Sequence, residues 1–127
     1  MEAERISDGD FRVTAGPFNI TVAYVVGHRA VGIMNVDDMG SLLAASWPEG
    51  RWWFARANIG DVSLRGKGIG TRMLNLVKTE LQKRDSFREV LVAPGGYGSD
   101  EKKRRNFYVK NGFEPVSEGA LLWRPQS

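Results

Sequence analysis

Residues 52–93 constrain the fold more than any other stretch of this chain. An aromatic and apolar run, Trp52 to Gly60, reads as a buried strand. Arg65-Gly66-Lys67-Gly68-Ile69-Gly70 follows within a few residues and is too rich in glycine to continue it. Ile69, Met73, Leu76, Val77 and Leu81 then recur at helical spacing, while Arg72, Lys78, Glu80 and Lys83 fall largely elsewhere. That pattern predicts an amphipathic helix pressing one face on a sheet. Arg88 to Ala93 reads as a second buried strand, completing a β-α-β unit with a right-handed crossover.

The flanks add antiparallel structure. Before Asn19 there is room for at most one short strand, around Phe11 and Val13. Asn19 to Val26 and Ala30 to Val36 are β-rich runs about a short break, Gly27-His28-Arg29, and read as a hairpin. Asp37 to Gly40 ends it, and Ser41 to Pro48 fits a strand or a helical turn equally well. After a loop from Pro94 to Ser99, Asp100 to Lys110 reads as a short helix, with Ser99 or Asp100 as its N-cap and Gly112 free to take the left-handed conformation beyond its end. Phe113 to Val116 and Ala120 to Trp123 read as closing strands. The expected class is mixed α+β, in one domain spanning residues 1–127.

Composition narrows the chemistry. The chain has no cysteine, which excludes a disulfide framework, a thiolate zinc site and a cysteine nucleophile, and its one histidine argues against a histidine-built metal centre. No metal is expected. Eighteen basic against fifteen acidic residues give a net charge of +3, which permits an acidic ligand without demanding one. No stretch approaches the roughly 20 apolar residues of a membrane span. The first ten residues are too acidic for a secretory signal, so a cytoplasmic protein without a membrane partner is expected.

A strand-to-helix loop aims its backbone amides and the positive end of the helix dipole at one spot. Arg65 and Lys67 add charge there, so the loop suits an anion, most naturally a phosphate. Gly60 and Gly66 lack the spacing of a nucleoside-triphosphatase P-loop before Lys67. A dinucleotide fingerprint is also excluded, because an antiparallel hairpin precedes the loop and Arg65 leads it.

Arg65, Gly68 and Gly70 match the acyl-coenzyme A signature of the GNAT family, the GCN5-related N-acetyltransferases, and the segment Asn106 to Phe113 lies at the family's distance from it. The chain resembles that family from Asn19 to about Trp123. The resemblance implies the GNAT acyl-CoA N-acyltransferase fold: a twisted, mostly antiparallel sheet flanked by helices, with two parallel strands splayed around the coenzyme. Acetyl-CoA is then the co-substrate, held by Ile59, Gly60, Arg65, Gly66, Lys67, Gly68, Ile69, Gly70 and Thr71. The implied activity is direct acetyl transfer to a primary amine on a small molecule or a protein lysine. Tyr108 matches the tyrosine that family members use as general acid on the departing thiolate, and Asp61 is a candidate general base. Asp37 and Asp38 are further candidates. Where aminoglycoside-acetylating members carry a carboxylate, this chain has Arg56. His28 is expected at an exposed turn.

Lys102-Lys103-Arg104-Arg105 cannot place four consecutive cations on one helical face, so the run reads as a solvated surface and nucleic acid is not an expected partner. Competing readings are a non-catalytic acyl-CoA-binding module and a nucleic-acid-binding or modifying protein on the same fold. An exposed sheet edge would allow a homodimer. Full-size members of the family wall the acceptor side with two helices between their first and second strands; the residues before Asn19 are too few to supply them, so an open acceptor side is expected.

Overall fold

The computed structural model describes residues 9–42, 48–59, 68–93, 99–117 and 119–125. These form two compact units, one from residues up to Asp37 with Ala55–Asp85, the other from Asp38–Phe54 with the residues from Ser86 onward. The class is mixed α+β, with seven mostly antiparallel strands and two long helices among the described residues.

In the first unit, β1 (Asp10–Ala15), β2 (Asn19–Val26) and β3 (Arg29–Asp37) form an antiparallel meander, followed by the second half of β4 (Arg51–Ile59). Alternation in these strands sends Ile20, Val22, Tyr24, Met34 and Val36 to one face, where each is at most 4% exposed. Register keeps them together: Ile20 pairs with Val36 and Val22 with Met34. The long helix α2 (Ile69–Gln82) contacts β1, β2 and β3, and buries Ile69, Met73, Leu74, Val77 and Leu81. Each such side chain removed from water contributes about 1.5–3 kcal/mol.

One residue of the expected stripe is displaced. Leu74 is fully buried, whereas Leu76 is only half-buried. At about 100° per residue the buried stripe is centred near Val77, with Leu74 about 60° from that centre and Leu76 about 100° away. Two polar clasps fix α2 against the edge of this unit. The Arg72 guanidinium lies 4.6 Å from the centre of the Phe11 ring. Arg84 donates to the carbonyls of Gly16 at 2.7 Å and Pro17 at 3.3 Å, bracing the three-residue connection between β1 and β2.

The second unit holds the first half of β4, then β5 (Glu89–Val92), β7 (Ala120–Trp123) and β6 (Glu114–Ser117) in spatial order. It also contains α1 (Met39–Leu42), which resolves the start of the ambiguous Ser41–Pro48 stretch as a helical turn, and α3 (Ser99–Lys110). β5 is buried along its whole length. Glu89 opens it, accepting from Arg51 and, at 2.9 Å, from Arg124. Phe87 stacks on Trp123 with ring centres 5.9 Å apart. β4 is less buried than its sequence suggests: Trp52 and Phe54 are covered, but Ala55, Arg56 and Ala57 are exposed.

Candidate active site

The two parallel strands of the β-α-β unit pair only briefly. Arg51, Trp52 and Trp53 of β4 are partnered with Glu89, Val90 and Leu91 of β5. Phe54 and Val92, next on each strand, are both described and are no longer partners, while β4 runs on to Ile59. The parallel ladder therefore ends at Trp53, one residue before β5 itself ends at Val92. Strand backbone released from a ladder carries donors and acceptors that need another partner, and an extended ligand can supply it.

Phe54, the first residue beyond the ladder, packs on Tyr108 with ring centres 6.0 Å apart. The end of α3 fixes Tyr108. Its carbonyl accepts from Phe113 N–H at 3.0 Å, and the Val109 carbonyl accepts from Gly112 N–H at 3.2 Å. With Gly112 at φ +94°, these bonds make a Schellman motif in which glycine occupies the left-handed position expected for it. The motif turns Phe113 back onto Tyr108, and the two rings meet edge-on at 5.2 Å. Phe107 adds a second edge contact at 5.1 Å, and Asn111 locks the turn by donating to the Phe107 carbonyl at 2.7 Å.

Tyr108 is 5% exposed, and burial among these rings pushes its hydroxyl up to about pKa 12. Arg104, one helical turn earlier, acts in the opposite direction by favouring the phenolate. The sequence showed Arg104 only as part of a cationic run. Its i, i+4 spacing to Tyr108 was the signal that could have singled it out.

At the start of α2, Gly68 is exposed and holds φ +81°, and it caps the helix without a side-chain hydrogen bond. Its carbonyl accepts from Arg72 N–H at 3.0 Å, so the helix begins directly after it. A β-carbon placed at Gly68 would meet no atom of the described residues within 4 Å, whereas its backbone angle favours glycine. Gly70 and Thr71 are half-buried in the first turn, and Ile69 is buried beneath it. As a glycine, Gly68 supplies no side-chain cap to the positive end of α2, the kind of helix end that suits an anion.

The other expected positions divide as follows. Ile59 ends β4, while Gly60, Asp61, Arg65, Gly66 and Lys67 lie outside the described residues. Asp37 is half-buried at the end of β3, Asp38 is buried, and His28 is exposed as anticipated. Among the described residues no group of three or more histidine, aspartate or glutamate side chains could hold a metal ion, and no helix is long and apolar enough to cross a membrane.

No family model and no curated protein matches the sequence. Solved structures do match in fold. A protein assigned to the GNAT acetyltransferases from Desulfovibrio desulfuricans is 15% identical with TM-score 0.63, over 86% of this chain and 69% of that one. An aminoglycoside 6'-N-acetyltransferase complexed with coenzyme A is 16% identical with TM-score 0.64, over 88% and 77%. KacTA in complex with DNA is 20% identical with TM-score 0.62, over 87% and 70%. The chain has the fold of the GNAT acetyltransferases.

Proposed function

We propose that this chain is an acetyl-CoA-dependent N-acetyltransferase that passes acetyl directly to a primary amine. The observation that carries the reading is the end of the parallel ladder at Trp53, with Tyr108 packed on Phe54, the first residue beyond it. In this reading the pantetheine arm runs along β4 past Trp53 and hydrogen-bonds to the strand's backbone. The amides of Gly68 to Thr71, with Arg65 and Lys67, hold the pyrophosphate, and Ile59 and Gly60 orient the thioester.

The amine nitrogen attacks the thioester carbonyl and the carbon–sulfur bond breaks. The amine proton leaves to Asp61 or water, and Tyr108 protonates the departing thiolate. A phenol near pKa 12 stays protonated at neutral pH and so is armed as a donor. Against a thiol near 8.5, the transfer is uphill by roughly 5 kcal/mol. That fits within the barrier of roughly 16 kcal/mol that corresponds to about ten turnovers per second. Arg104 lowers the uphill step by favouring the phenolate.

β1 and β2 are joined by Gly16-Pro17-Phe18 alone, with no helix between them. This supports an open acceptor side, suited to a lysine on a macromolecule. Calorimetry with acetyl-CoA, followed by thiol release across small amines and lysine-bearing proteins, tests the reading. Binding with turnover on at least one amine is expected. Binding without turnover on any of them would make the chain a non-catalytic coenzyme-binding module.

A further inference from the structure

The net charge of +3 sits on a single helix. Residues 99–110, which form α3, carry five basic and two acidic side chains, and the remaining 13 basic and 13 acidic residues of the chain balance. Both acids, Asp100 and Glu101, lie in the first turn, so every charged residue in the rest of the helix is basic.

The helical phase gathers that charge. Arg104 shares the side of Tyr108, whereas Arg105, Val109, Lys102, Asn106, Lys110 and Lys103 follow one another around an arc of about 160° on the opposite side. Four consecutive cations indeed cannot share a face, but three of them do so here with Lys110 as the fourth. Lys102, Lys103, Asn106, Val109 and Lys110 are exposed, and Arg105 is half-buried. Beyond the first turn of α3, no acidic side chain among the described residues forms an ion pair with any of the four cations on this side.

We propose that the outer face of α3 docks the phosphate backbone of a nucleic acid. Charge complementarity selects a polyanion, and the face's composition selects among polyanions. Protein interfaces are anchored by buried aromatic and apolar side chains, and lipid-surface helices insert an apolar flank. This face offers one exposed valine, and every other group on it donates hydrogen bonds, as backbone-positioning contacts do. Lys102 to Lys110 spans about 12 Å along the helix. One strand of a duplex presents three to four phosphates over that length. The inference is independent of the acetyl-transfer reading, because it uses the side of α3 turned away from Tyr108.

Binding of the full chain to a fluorescent 20-base-pair DNA duplex and to an RNA duplex, titrated against salt, tests this. Four phosphate contacts predict a log–log salt slope near −3.6 on DNA, or roughly 150-fold weaker binding at 200 than at 50 mM salt. Replacing Lys102, Lys103, Arg105 and Lys110 together with Gln should abolish that slope on whichever duplex binds. Lys102→Arg with Lys103→Arg and Lys110→Arg should retain it, which separates charge from fold. Saturating coenzyme A should leave duplex binding unchanged. The proposal is overturned by absence of binding to both duplexes at 50 mM salt, by an unaltered slope in the Gln variant, by displacement with coenzyme A, or by tighter binding to phosphatidylserine vesicles than to either duplex.

Discussion

Replacing Tyr108 with Phe should change how stability responds to alkali more than it changes stability at neutral pH. Burial raises the folded-state pKa to about 12, against about 10 in the unfolded chain. The folded protein therefore holds this proton more firmly. The associated stabilisation is complete below pH 10 and is lost as pH rises from 10 towards 12 and above. The loss is about 1.4 kcal/mol at pH 11 and approaches about 2.7 kcal/mol at higher pH. Lys78, lowered by burial, contributes with the opposite sign, but it is present in both proteins and cancels in their difference. Urea unfolding of wild type and Tyr108→Phe at pH 8, 10 and 11 isolates the hydroxyl. The free-energy difference should shift by about 1.4 kcal/mol between pH 8 and 11, with the wild type losing more. Parallel pH dependences would refute the argument, because they would mean that Tyr108 ionises as it does in the unfolded chain and is not held among Phe54, Phe107 and Phe113.

Three further outcomes follow from the packing. Gly112→Ala forces a side chain to φ +94° at the Schellman turn and should cost about 1–2 kcal/mol in chemical denaturation. Leu74→Ala should cost about 2–5 kcal/mol, as a fully buried residue, and clearly more than Leu76→Ala; equal losses would contradict the placement of the helix stripe. Arg124, 67% exposed, should be replaceable by Ala within about 0.5 kcal/mol, whereas Arg51→Ala should cost about 1–3 kcal/mol because its side chain is 30% exposed and Glu89 only 11%.

The hairpins and the β-α-β unit were legible because period-two runs, a glycine loop and a helical stripe occur in an order that few folds accept. Gly112 was legible because a left-handed stop after a helix is a local requirement. What escaped was set by partners distant in sequence. The choice of Leu74 over Leu76 depends on how the sheet of β1, β2 and β3 meets α2, and the exposure of Ala55 to Ala57 depends on where pairing with β5 ends. Tyr108 could be named from its motif, but the ring cage around it joins β4 to α3 and the loop after it, which no local pattern reveals. Four cations in sequence looked like a dispersed charge run; only the phase set by Tyr108 on the inner side shows which of them point outward together. Most of the glycine loop, with Asp61, lies outside the described residues.

Direct acetyl transfer with Tyr108 as the proton donor to sulfur is tested by steady-state turnover with isotopically labelled acetyl-CoA, following thiol release and labelled amine together in wild type and Tyr108→Phe. Equal amounts of thiol and acetylated amine, a kcat lowered about 10²–10⁴-fold in the variant, and unchanged acetyl-CoA affinity are expected. Undiminished kcat in Tyr108→Phe, or thiol released without acetylated amine, would contradict it.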